Sequence, residues 1–143
     1  TVNRTNTTTV ITSATPSPSV TGQSVTFAFS VTPATSGLGA LTGNVTVSDG
    51  LGDTCTATVA AGNCSMTFAT PGAKTMTASY AGDVAYNSST SATRNQNVRD
   101  YSVAISPPSQ NVKAGASTTY TLTITPVNGF ATIPYASGGP PRV

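Results

Sequence analysis

The sequence predicts an all-β sandwich followed by the opening of a second one. Three observations predict it. Apolar residues alternate with threonine and serine along several short runs, as in strands with one buried face. Glycine, proline and Asp-Gly signals separate those runs at close intervals. One run then returns: Gly22-Gln23-Ser24-Val25-Thr26-Phe27-Ala28-Phe29-Ser30-Val31-Thr32-Pro33 reappears as Gly115-Ala116-Ser117-Thr118-Thr119-Tyr120-Thr121-Leu122-Thr123-Ile124-Thr125-Pro126, 93 positions on. That offset is the length of one small sandwich domain.

Thr7 to Ser13 reads as a first strand, which Pro16 and Pro18 end. Proline has no N–H to give a ladder, so these two keep that edge from pairing freely. Ser24 to Thr32 is the clearest strand, with Val25, Phe27, Phe29 and Val31 on one face. Thr35 to Leu41 is a Gly/Ser loop, and Asn44 to Ser48 a short strand with Val45 and Val47 inward. Asp49-Gly50-Leu51-Gly52-Asp53 is a turn, because Asp-Gly favours positive φ. Thr54 to Val59 and Cys64 to Phe68 form a hairpin around Ala60-Ala61-Gly62-Asn63. Pro71-Gly72 turns the chain into Ala73 to Tyr80, whose inward face carries Met76, Ala78 and Tyr80. Ala81-Gly82-Asp83 turns again, and Ser91 to Val98 closes the unit. About seven strands with this turn spacing describe an immunoglobulin-like sandwich. Arg99-Asp100 reads as a boundary, dividing the chain into a sandwich over 1–99 and an incomplete second unit over 100–143. The second unit opens with Tyr101 to Ile105, Pro107-Pro108 and the strand Ser117 to Thr125. The stretch Ala131 to Val143 is Pro- and Gly-rich with little strand character.

Composition narrows the function. Only 7% of residues are charged, against roughly a quarter in an ordinary domain. The net charge is +2, and the six cations Arg4, Lys74, Arg94, Arg99, Lys113 and Arg142 are scattered. A nucleic-acid binder clusters its Lys and Arg, so none is expected as a partner. No run approaches the roughly 18–20 apolar residues of a membrane span. The chain contains neither His nor Glu, which leaves no ordinary acid–base pair. No Ser or Cys has a base to activate it, and no Gly-rich phosphate loop follows a strand. The expectation is a protein without catalytic activity or cofactor.

Cys55 and Cys64 lie nine positions apart across the predicted hairpin. In a reducing compartment they would be thiols; in an exported chain they would pair, and pairing is the reading favoured here. Two Cys without His are too few ligands for a metal.

Residues 7–98 resemble the bacterial Ig-like repeat domains of large secreted and surface proteins. The matching segments are Gly22 to Phe27, Gly43-Asn44-Val45-Thr46-Val47-Ser48-Asp49-Gly50, Cys55 to Cys64, and Pro71 to Asp83 with its closing Tyr80-Ala81-Gly82-Asp83. The resemblance implies an extracellular location and a role as spacer, adhesion or structural repeat, without catalytic residues. The tail from Tyr101 looks like the start of another such module, which tandem members would complete.

Other candidate sites have plainer readings. Asp49, Asp53, Asp83 and Asn87 lie near turns; calcium needs six to eight oxygens in one place, and the turns themselves account for Asp49 and Asp83. Lys74 shares parity with Met76, Ala78 and Tyr80, so it faces inward near a strand end. It either forms an isopeptide bond with an asparagine beside an acidic residue, or snorkels to solvent; the scarcity of acids favours snorkelling. Five Asn-X-Ser/Thr sequons occur, at Asn3, Asn6, Asn44, Asn63 and Asn87; they would accept glycans in an archaeal or eukaryotic secreted protein and stay bare in a bacterium, and bare is the reading favoured here. Tyr80 and Tyr120 read as core residues, which leaves Tyr86, Tyr101 and Tyr135 as a thin basis for a sugar-binding platform.

The unfinished unit carries the functional expectation. Tyr120, Leu122 and Ile124 share one face of a strand that has no complete sandwich around it. Burying them would contribute roughly 1.5–3 kcal/mol each. Strand addition to a neighbouring copy would bury them and generate a homopolymer, hence an extracellular filament or surface-layer subunit. Alternatively the chain is a spacer, adhesion or carbohydrate-binding module of a larger secreted protein with neighbouring Ig-like repeats. A third arrangement keeps the tail on its own domain, extending a sheet.

Overall fold

The computed structural model describes residues 3–35 and 39–130. The predicted tail over Ala131 to Val143 and the middle of the Thr35–Leu41 loop lie outside the described residues. Ten strands and one 3-10 turn run in the order β1 (Thr7–Thr15), β2 (Ser19–Val20), β3 (Ser24–Pro33), β4 (Asn44–Ser48), β5 (Thr54–Thr58), the turn Val59–Ala61, β6 (Asn63–Thr67), β7 (Gly72–Tyr80), β8 (Ser89–Thr90), β9 (Arg94–Ser106) and β10 (Thr121–Val127).

Two sheets form. One has the order β1-β3-β6; the other has β10-β9-β7-β4-β5, with β2 against β9 and β8 against β7. The alternation seen in the sequence sets which side chains meet. Val25, Phe27 and Phe29 of β3, Met66 of β6, Val45 and Val47 of β4, and Met76, Ala78 and Tyr80 of β7 are all buried in one core. Val31 is half-buried at its margin. Phe27 meets Phe68 edge to face, with ring centroids 6.3 Å apart and planes at 84°, the arrangement an aromatic quadrupole prefers. A register shift between Ile11 and Ser13 moves β1 by one residue, so that Ala14 returns to the core after Thr9 and Ile11. Such a bulge re-aims every later side chain on the strand.

The prolines act as read. Across Pro16-Ser17-Pro18 the chain leaves the first sheet, and β2 pairs in parallel with β9 in the second. Buried Gln96 ties this crossing down: its Nε2 donates to the Pro16 carbonyl and to Ser19 Oγ, each at 3.0 Å.

Three expectations need correction. The predicted hairpin of Thr54 to Val59 with Cys64 to Phe68 does not form: β5 pairs with β4 and β6 with β3, in different sheets, because the turn between them carries the chain from one sheet to the other. The closing strand starts at Arg94, not Ser91, and does not stop at Arg99-Asp100. It runs on as one ribbon of 13 residues, its first part paired with β7 and its last part with β10. Arg99 and Asp100 are both half-buried, and a polar pair does not interrupt a backbone ladder. The following strand is Thr121–Val127 rather than Ser117 to Thr125, because its register is set by β9. Tyr120 therefore precedes the strand, and it is not a core residue: it is 49% exposed, whereas Tyr80 is 1% exposed. The half of the prediction that placed Tyr80 inside holds.

Gly82 sits where only glycine fits. Its φ is +81°, and an added Cβ would lie 2.9 Å from both Ser88 N and Tyr86 O. Gly82→Ala is expected to cost about 1–3 kcal/mol from backbone strain alone. The shift of the urea midpoint measures it.

Candidate functional site

Three places hold chemistry beyond core packing. The first is the ribbon of β9 and β10. Leu122 faces Ile105, Ile124 faces Val103 and Pro126 faces Tyr101 across the ladder. With period two, these side chains share one face, and Phe130 closes its end with a ring centroid 5.0 Å from that of Tyr101. Ser102, Ala104, Thr121, Thr123 and Thr125 occupy the other face. The apolar face is uncovered: Ile105 is 56% and Leu122 52% exposed. The free edge of β10 has no strand beside it among the described residues.

The ribbon repeats the pairing of β1 with β3. There, Phe29 faces Ile11, Val31 faces Thr9 and Pro33 faces Thr7. The 93-position offset carries Phe29, Val31 and Pro33 onto Leu122, Ile124 and Pro126, and their partners keep the same two-residue steps. In the first copy the second sheet covers this face; in the second copy nothing among the described residues does. The ribbon is anchored to the sandwich by Asn128, whose Nδ2 donates to Asn97 Oδ1 at 2.6 Å and to the Val98 carbonyl at 2.7 Å. Tyr120, Leu122 and Ile124 thus fall on or beside the same exposed face, and β10 is already hydrogen-bonded to β9.

The second place is the loop end of β7. Asp83 Oδ2 accepts from the Thr42 N–H and hydroxyl, both at 2.9 Å, and Oδ1 accepts from the Ala85 and Tyr86 N–H groups. Those donors, the Thr42 N–H foremost, hold its carboxyl down at about 2 against an ordinary 3.8. Tyr80 and Tyr86 pin the facing loop through their hydroxyls, which donate to the Thr42 and Gly39 carbonyls at 2.8 Å. Burial first, and Asp83 second, push the Tyr80 phenol up to about 12. A folded value below the ordinary one means that this stabilisation is complete above about pH 4 and is lost as pH falls through the folded value. Asp83→Ala is therefore expected to lower stability at neutral pH and to flatten its decline between about pH 4 and 2. Thermal midpoints recorded across that range check it.

The third place is the Asp49–Asp53 turn. Lys74 is buried, in phase with Met76 and Ala78; it does not snorkel to solvent, because Asp49 and Asp53 wait beside it. Its Nζ lies 3.8 Å from Asp49 Oδ2 and 3.6 Å from Asp53 Oδ2, donates to Thr70 Oγ1 at 3.1 Å, and stands 5.6 Å from the Phe68 ring centroid. Asp49 and Asp53 are thus at one end of β4 and β7, and Asp83 and Asn87 at the other, so the four do not converge. The sequons disperse also: Asn44 and Asn63 are exposed on separate strands, and the Asn87 amide donates to Asn6 Oδ1 at 2.8 Å.

Cys55 and Cys64 form a disulfide with Cα atoms 5.8 Å apart. Since β5 and β6 are edge strands of different sheets, the bond closes one side of the sandwich. Among the described residues there is no pocket and no helix long and apolar enough to cross a membrane.

Two stacked sheets, a core drawn from both and a disulfide between their edges define an immunoglobulin-like sandwich module. The comparison with known families agrees, and residues 11–99 match the bacterial Ig-like domain (group 3). The chain belongs to that family, whose members are generally non-enzymatic and typically occur in extracellular or surface proteins. No curated protein and no solved structure matches the chain.

Proposed function

We propose that this chain is a non-enzymatic spacer of an extracellular or cell-surface polypeptide, built to be joined end to end with further Ig-like units. The observation that carries the reading is β9. One strand serves as the last of the sandwich over 94–99 and as the first of a ribbon that repeats the β1–β3 pairing. A strand shared this way leaves no flexible linker, and Asn128 fastens the joint from the other side. The junction is therefore stiff, as a spacer requires. The low charge suits close packing of repeats without self-repulsion, and the disulfide suits an oxidising exterior. On this reading residues 1–99 are a whole unit, and 100–143 begin the next.

The uncovered face supports a second reading, assembly of copies into a filament. Because β10 already pairs with β9, the incoming element would meet the outer edge of β10 or the apolar face of Tyr120, Leu122 and Ile124. A lone donated strand does not describe it. Negative-stain microscopy with light scattering, on the full chain and on a chain ended at Arg99, separates the two. The spacer reading expects monomers from both. Filaments from the full chain alone would replace it with strand addition.

A further inference from the structure

The ribbon is fastened to the sandwich through a group that the chain itself can remove. β10 ends in a turn closed by the Phe130 N–H, which donates to the Val127 carbonyl at 3.4 Å. Both central residues have positive φ, +54° at Asn128 and +75° at Gly129, the pattern of a type I′ turn. Asparagine is among the few residues with a side chain that tolerate this region, and Asn128 is the only non-glycine that adopts it among the described residues. Of the chain's asparagines it is also the only one followed by glycine. Gly129 has no Cβ to shield its nitrogen. Both residues are exposed, and the Gly129 N–H has no hydrogen-bond partner among the described residues. An unengaged backbone nitrogen thus adjoins a side-chain amide within reach of water. That amide is the joint: Asn128 Nδ2 makes both of its bonds, to Asn97 Oδ1 and to the Val98 carbonyl.

We propose that Asn128-Gly129 is a spontaneous deamidation site whose reaction unfastens the ribbon from the sandwich. The Gly129 nitrogen loses its proton to hydroxide and attacks Asn128 Cγ. One N–C bond forms and the Cγ–Nδ2 bond breaks. Nδ2 takes a proton from water and leaves as ammonia, and the chain closes a five-membered imide. A water molecule then opens the ring. Opening at Cγ leaves an aspartate at 128; opening at the backbone carbonyl leaves an isoaspartate, whose main chain is longer by one CH2. No oxidant, reductant or cofactor is needed. In either product an oxygen stands where the donor stood, and a carboxylate only accepts. Asn97 can turn its own amide to donate, but the Val98 carbonyl cannot, so at least that bond is lost. The joint also guards itself. Cγ cannot turn towards the Gly129 nitrogen while Nδ2 is held by both oxygens, so reaction waits for the joint to open. Because ammonia is lost to solvent, the change runs one way. The junction starts stiff and loosens with age, whether the ribbon begins a next unit or meets another copy.

Ageing the folded full chain in neutral buffer, beside the same chain held unfolded in urea, tests this. Peptide mapping should find a gain of about 1 Da on the peptide carrying Asn128, split between aspartate and isoaspartate, while the other asparagines keep their amides. Asn97→Ala removes one of the two bonds and leaves the backbone pairing of β9 intact. It should speed conversion about two- to tenfold, the weight of one neutral hydrogen bond. Asn128→Asp makes the product directly. Its amides over 121–130 should exchange faster than those of the parent, with β3 and β7 unchanged. A folded chain with no acid at 128 when the unfolded chain has fully converted overturns the proposal. So does an Asn97→Ala chain that converts no faster than the parent, or an Asn128→Asp chain whose ribbon exchanges as slowly as the parent's.

Discussion

Phe27→Ala is expected to destabilise the sandwich by about 3–5 kcal/mol, the usual cost of truncating a buried phenylalanine. Phe27 is fully buried at the middle of the central strand of its sheet, and its edge-to-face contact with Phe68 adds about 0.5–1.5 kcal/mol to area burial alone. Single domains hold about 5–15 kcal/mol in total, so the variant sits near its unfolding threshold. The repeat supplies an internal control. Tyr120 occupies the position of Phe27 in the second copy, but it is half exposed beside an uncovered face. Tyr120→Ala is expected to change stability by no more than about 0.5 kcal/mol, as exposed sites do. Urea unfolding of the two variants side by side reads the difference directly. A cost at Tyr120 matching that at Phe27 would mean that the second copy has a buried core of its own in the isolated chain, which the spacer reading does not allow.

The contrast between these two positions also marks how far the sequence could be read. Alternation along β3, β4 and β7 reports burial because the register of a strand decides which side chains point inward. That is why the core residues of the first unit, and even the inward turn of Lys74, are legible in the sequence. The same alternation around Tyr120 says which face is apolar and says nothing about whether a second sheet covers it. The partners of Lys74 were hidden for a related reason. Asp49 and Asp53 come within reach only because β4 runs antiparallel to β7, with Ser48 opposite Thr77, and that pairing is a tertiary fact. The continuity of β9 was obscured by local polarity. Arg99 and Asp100 look like a break, yet their backbone groups pair with Val20 and Val127 as any residue could. Asp83 reads in the sequence as a turn residue; its four donors come from two loops that only the fold brings together.

Removing the disulfide is the second large effect expected. Replacing Cys55 and Cys64 together by serine should cost about 2–4 kcal/mol, through the freedom regained by the unfolded chain. In this fold the loss has a further consequence, because the bond joins the outermost strands of the two sheets. Among the described residues, β5 has β4 on one side only, and β6 has β3 on one side only. Without the bond, that edge of the sandwich is held by the short turn between β5 and β6, whose backbone bonds reach Gly43 and Phe29, and by side-chain packing, with Cys64 buried and Cys55 half-buried at the seam. Unfolding should then begin there. Hydrogen exchange on the reduced or serine-substituted chain should quicken first in β5 and β6, while β7 and the sandwich half of β9 keep their protection until the chain unfolds as a whole. Uniform loss of protection across both sheets would show that the bond acts on the unfolded state alone. The predicted pattern makes the module dependent on the redox state of its surroundings: firm where disulfides persist, and open along one edge where they are reduced. A spacer on the outside of a cell meets the first condition, and the size of the stability difference between oxidised and reduced chains measures how closely the fold is fitted to it.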